Sequence, residues 1–139
     1  MADFRFIDNS AEAIREKNAA VEAALEAMGF QAETHAKQNI TSAGRVDTSA
    51  MRNSVNHSVA ADEEVVYVGT NIEYAIYHEY GTGIHAEGGR GRQTPWTYKD
   101  KKGQWHRTKG MKAIHFLRNA VQDHIDEYKR IAEKYLSRG

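Results

Sequence analysis

The sequence predicts an α+β fold: a small antiparallel sheet covered by a long N-terminal and a long C-terminal helix, with a short central helix and a basic β-hairpin insert. Three observations predict it. Apolar residues recur mostly every three or four positions from Ile14 to Ile40, and again from Ile114 to Tyr135, which is helical periodicity. Residues 54–60 alternate, and 64–69 are β-branched and aromatic, with a short polar loop between them, as in a hairpin. Helices at both ends and strands gathered between them is the order of an α+β domain.

The 139 residues fit one domain, 1–139. There is no cysteine, which excludes a disulfide framework and thiolate metal ligands. No apolar run reaches the length of a membrane span, and MADFRFIDNS lacks the basic and apolar regions of a secretory leader. Formal net charge is zero, but its distribution is uneven. Residues 84–112 hold eight basic and two acidic side chains, net +6, leaving eleven basic and seventeen acidic elsewhere, net −6. Such a bipolar protomer can stack head to tail on copies of itself or on a charged neighbour.

Taken in order, Phe4-Arg5-Phe6 alternates and reads as a first strand. Asn9 with Glu12 has capping-box spacing, so a long helix is expected over about 10–39, with Gly29 as a point where it could bend. Residues 41–44 break the pattern. Asp47 or Thr48 then caps a short turn that carries Met51 inward. The strand pair follows, with Val55, His57 and Val59 on one face. Thr70 and Glu73 again have capping-box spacing, predicting a helix of about two turns that Gly81 ends. Tyr74, Tyr77 and Tyr80 share one side of it, a spacing that suits an aromatic packing face. The insert, about 84–109, holds Gly88, Gly89, Gly91 and the single proline, Pro95, and reads as a flexible loop leading into a hairpin with a basic tip and a tryptophan on each arm. A long final helix completes the chain.

No enzymatic constellation is present. His78-Glu79 lacks the second histidine of a zinc-protease motif, because position 82 is threonine. No nucleophile elbow or phosphate-binding glycine loop occurs, and the glycines of the insert do not open a helix. The expectation is a non-enzyme with no cofactor and no metal. The insert carries the one feature suited to nucleic acid: Arg90, Arg92, Lys99, Lys101, Lys102 and Arg107 interleaved with Trp96, Tyr98 and Trp105 could track phosphates and stack bases. A solvated charged loop and a dock for an acidic protein surface fit the same residues.

Three segments together resemble one family. VDTSAMRNSV resembles V-D-T-G-x-L-R-x-S, EYAIYHEYGTG resembles Y-A-x-Y-x-E-x-G-T, and MKAIHFLRNAV resembles P-x-x-F-L-x-x-A. These are signatures of the gene-product-ten-like group of HK-ninety-seven-type tailed phages, minor tail or head–tail joining (tail-completion) proteins. The resemblance runs from about Val46 to Val121, behind a long N-terminal helix that the family also has. Ser49 and Ala50 stand where the family often has glycine and arginine, and no proline precedes Phe116.

The residues matching the motifs are Asp47, Thr48, Arg52, Tyr74, Tyr77, Glu79, Gly81, Thr82, Phe116 and Leu117. The resemblance implies a structural virion protein, made in the host bacterial cytoplasm. It implies a ring of protomers at the neck, six-fold because phage tails are, that joins or completes the tail. Its partners would be copies of itself, the head–tail connector, and tail terminator or tail tube proteins, with no membrane. Glu79 is a candidate partner for Arg52, within the fold or across a subunit boundary. The basic insert would order against a neighbouring protein or line the channel beside packaged DNA. A nucleic-acid-binding module using the hairpin 90–112 is the alternative.

Overall fold

The computed structural model describes residues 2–45, 48–89, 91–99 and 102–137, with side chains from Ile14 onward. The element order is α1 (Ala2–Ala43), α2 (Ser49–Ser54), β1 (Asn56–Ala60), β2 (Val65–Gly69), α3 (Ala75–Tyr80), β3 (Trp96–Lys99), β4 (Trp105–Thr108), α4 (Phe116–Gln122) and α5 (Ile125–Leu136). The class is α+β, with two separate two-stranded antiparallel sheets, β1-β2 and β3-β4.

Helix α1 organises the body. It packs against the β1-β2 ribbon on one side and against α4 and α5 on another. Ala24, Leu25, Ala32, Ala36 and Ile40 form its buried stripe. Small residues there let neighbours come close. Gly29 is the extreme case: a Cβ added to it would lie 2.6 Å from the His57 ring and 2.7 Å from a Val66 methyl. Gly29 is thus the point where the ribbon presses onto the helix.

The expected first strand at Phe4-Arg5-Phe6 is helical, because α1 begins at Ala2. Asn9 and Glu12 therefore lie inside the helix and do not start it. Alternation over three residues is too short a signal to set against a helix that propagates from the long periodic segment behind it. At its other end α1 runs to Ala43, and Gly44 stops it at φ +63° with its N–H on the Thr41 carbonyl at 3.1 Å.

The ribbon follows its alternation. Asn56 pairs with Gly69 and Ala60 with Val65. His57, Val59, Val66 and Val68 are half-buried, whereas Ser58 and Tyr67 are exposed. A single 3-10 turn, Ala61–Glu63, and Glu64 at φ +56° make the bend. The second hairpin has the predicted arms, with Trp96 opposite Thr108 and Lys99 opposite Trp105.

The C-terminal periodicity is divided between two helices. It breaks at Asp123 and His124, and His124 leaves helical geometry at φ −128°, ψ +23°. The Tyr128 hydroxyl crosses the break and donates to the Ala120 carbonyl. Burial holds that hydroxyl protonated, with its pKa pushed up to about 12. The break lets both α4 and α5 lie along α1. Met51, Val55, Ala75, Phe116 and Ala120 close the core around Ala36 and Ile40.

Candidate functional site

The central helix α3 starts five residues after Thr70, at Ala75. Thr70 accepts the Ile72 N–H at 3.2 Å on its side chain and hydrogen-bonds Ser54. It therefore organises the turn that follows β2, and Glu73 does not complete a capping box. The short helix buries only Ala75 and Glu79.

Glu79 is the one buried charged residue among those described, 5% exposed. Its carboxylate accepts the backbone N–H of Leu117 at 2.7 Å and of Arg118 at 3.2 Å. These are first-turn amides of α4, which have no partner inside their own helix. A carboxylate at a helix N-terminus is also favoured by the helix dipole. The residue before α4, His115, adopts φ +47°, ψ +46°, so no local side chain caps α4 and Glu79 supplies the cap from a distance. Arg52 instead donates to Thr41 Oγ1 at 3.4 Å. Within the chain, the partner of Glu79 is α4, and the expected Glu79–Arg52 pair does not form.

After α3 the chain turns sharply. Gly81 has φ +81°, and a Cβ there would lie 2.6 Å from the His85 carbonyl. Residues 82–84 then pair with 109–111. Thr82 N–H donates to the Met111 carbonyl at 2.8 Å, Met111 N–H to Thr82 Oγ1 at 2.9 Å, and Ile84 N–H to the Lys109 carbonyl at 3.0 Å. Gly83 and Gly110 face each other where the two segments meet, both at positive φ. This seam closes the base of the insert.

Arg45 braces the same region. It donates to the Lys112 carbonyl and to His78 Nδ1, the latter at 3.2 Å. Burial, aided by the Arg45 charge, lowers the His78 pKa, so His78 is a neutral acceptor. Sequence reasoning overlooked Arg45, which stands outside every motif. The paired glycines at 83 and 110 were the readable signal for the seam.

The three tyrosines do not pack inward. Tyr74, Tyr77 and Tyr80 are exposed, together with Ile76 (55%), Tyr77 itself at 54%, and Ile84. The guanidinium of Arg118 lies 6.0 Å from the Tyr80 ring while it pairs with Glu87 at 2.8 Å. The packing face expected from spacing is therefore an apolar, aromatic surface. The inward direction of α3 is taken by Ala75 and Glu79, on the other side of the helix.

Of the remaining predicted residues, Thr48 precedes α2 and bonds the Arg45 carbonyl at 3.1 Å. Phe116 is fully buried and Leu117 packs against the same core. Asp47, Arg90 and Lys101 lie outside the described residues. Arg92, Lys99, Lys102 and Arg107 are exposed on or beside the second hairpin. Arg92 stacks 5.7 Å over Trp96, and Trp105 is 68% exposed.

Among the described residues, His35, His124 and Glu127 could together offer three ligand atoms to a metal. His35 Nε2 and His124 Nδ1 lie 3.0 Å and 3.6 Å from Glu127 Oε2. The imidazoles stack at 3.5 Å and 4°. Both ring nitrogens approach the same Glu127 oxygen, so the trio clamps α5 to α1.

No curated protein and no solved structure gives a match. A family model does match, over residues 5–81, and it is described as "Bacteriophage HK97-gp10, putative tail-component". The matched span runs from α1 through the end of α3, and so includes the tyrosine face and Glu79; the second hairpin and α4 follow it. No helix among the described residues is long and apolar enough to cross a membrane. More than half of the chain is thus covered by one family, and the protein belongs to the HK97-gp10-like family of bacteriophage tail components.

Proposed function

We propose that the protein is a non-enzymatic virion protein that forms a ring at the phage neck and joins or completes the tail at the head–tail interface. The exposed aromatic face of α3 carries this reading. Tyrosine supplies large, rigid contact area at low entropic cost and is enriched where proteins meet. Five apolar side chains, Tyr74, Ile76, Tyr77, Tyr80 and Ile84, stand exposed in or next to the most specific motif of the family. A monomer gains nothing from exposing them, whereas a component of an assembly does. Buried Glu79 holds the helix that presents them, so the motif combines a packing residue with contact residues.

Six-fold symmetry matches the tail that such a ring would adjoin. The opposite charges of the insert and of the remaining chain favour stacking in one polarity. The test is electron microscopy of the purified protein with tail tubes and connector particles, using wild type and Tyr77→Ser/Tyr80→Ser. Rings or capped tube ends with wild type alone support the reading; equal decoration by both proteins removes the tyrosine face from it.

Exposed Trp105, with Arg92, Lys99 and Arg107 nearby, favours a second reading in which the hairpin binds nucleic acid. Binding should then fall steeply with salt, and Lys99→Gln/Arg107→Gln should flatten that slope. Absence of DNA binding at low salt removes this reading.

A further inference from the structure

Helix α1 is longer than the body packed on it. Its 42 residues span roughly 63 Å at about 1.5 Å per residue. Helix α5 runs back along it from His35, where Glu127 bonds the imidazole, past Met28 and Ala32, beside which Tyr128 sits. Burial begins only at Ala24. Residues 14–19 are all exposed, Ile14 at 58%. The N-terminal half of α1 therefore projects past the rest of the fold, without the packing of an amphipathic face that supplies most helical stability in proteins.

The projecting half repeats the pattern of the buried half. Leu25, Met28 and Ala32 are spaced three and four apart on the stripe that the body covers. Tracing that spacing backward gives Val21, Asn18, Ile14, Ala11, Ile7 and Phe4 in unbroken alternation. These are the a and d positions of a heptad, apolar at all but Asn18.

We propose that this seam pairs with the same segment of a second copy as a parallel, in-register coiled coil. The residues around the seam select that occupant. Asn18 stands at an a position, where a single asparagine meets its counterpart across a parallel pair and fixes register at some cost in stability. Lys17 at g then faces Glu22 at e of the second copy, twice over by symmetry. Arg15 at e faces Ser10 at g, and the single like-charged pair, Asp3 at g against Asp8 at e, falls at the helix end. An antiparallel pair aligning 4–21 with itself would set Asn18 against Ile7 and bury an amide without a partner. The pairing does not require the ring; it names a surface through which copies associate.

The absence of cysteine makes the test direct. In the full-length chain, Asn18→Cys should give disulfide-linked dimers on mild oxidation at least tenfold faster than Glu16→Cys, which sits at the outward f position. Ile14→Asp should abolish the difference while leaving the thermal transition in place, because Ile14 is 58% exposed and outside the buried core. Equal rates for the two cysteines, or crosslinking of Asn18→Cys only to an Ile7→Cys chain, would overturn the parallel seam. Rings formed by a protein whose Asn18→Cys does not crosslink reject the seam and leave the ring reading standing. Crosslinked dimers without rings do the reverse.

Discussion

Glu79 and Leu117 are joined by a 2.7 Å hydrogen bond from the Leu117 backbone N–H to the Glu79 carboxylate. A side chain of α3 thereby caps the first turn of α4. Glu79→Ala should leave two amides of α4 unpartnered inside the protein. The expected loss is about 2–3 kcal/mol, the range for a buried hydrogen bond to a charged group. Glu79→Gln keeps one acceptor and should lose less. Urea unfolding of the three proteins checks the order.

The crossing of Gly83 and Gly110 should tolerate no side chain. A Cβ on Gly83 would lie 2.7 Å from the Gly110 Cα, and a Cβ on Gly110 would lie 2.8 Å from the Gly83 Cα. Both residues also have positive φ. Either glycine to alanine should cost about 2 kcal/mol or more, beyond the usual conformational penalty, since backbone must move. Gly103→Ala, at the open tip of the hairpin, should cost only the smaller φ penalty. Thermal melts of the three variants make the comparison.

Two histidines should tilt stability in opposite directions with pH. The hydrogen bond to Glu26 at 2.5 Å, helped by Glu33 at 3.3 Å, raises the His57 pKa despite some burial. Its contribution is full below about 6.5 and fades as pH climbs through the raised value. His78 is the reverse: burial and then Arg45 lower its pKa. Its contribution is present above about 6.5 and is lost as pH falls through the lowered value. His57→Gln should therefore make stability rise more steeply between pH 5 and 8. Removing the protonation of His78, as in His78→Asn, should make it rise less. Urea midpoints across that range decide the signs.

Much of this architecture is legible in local pattern. The buried stripe of α1 from Leu25 to Ile40, both hairpins, the inward Met51 and the stop at Gly81 each follow from spacing or from one residue's backbone preference. What escaped depends on distant partners. Nothing near Glu79 in sequence says that its acceptor role is exercised on residues 117 and 118. Nothing in the regular spacing of Tyr74, Tyr77 and Tyr80 says which side of a six-residue helix faces the core. That choice is made by Ala75, small enough to lie against the core residues around Phe116. The break at His124 was hidden because Ile125 and Tyr128 keep the same period on either side of it. The Phe4-Arg5-Phe6 strand failed because alternation needs a pairing partner, and none of the described strands pairs there.

We propose that this tail component acts at the head–tail junction through the exposed face of α3. The most direct measurement is electron microscopy of particles from a phage with an early stop codon in this gene, complemented with wild-type or Tyr77→Ser/Tyr80→Ser protein. Filled heads beside free tails are predicted without complementation and with the tyrosine variant, and intact virions with wild type. Intact virions without complementation would contradict the role at the junction, and full rescue by the folded tyrosine variant would contradict the face assigned to it.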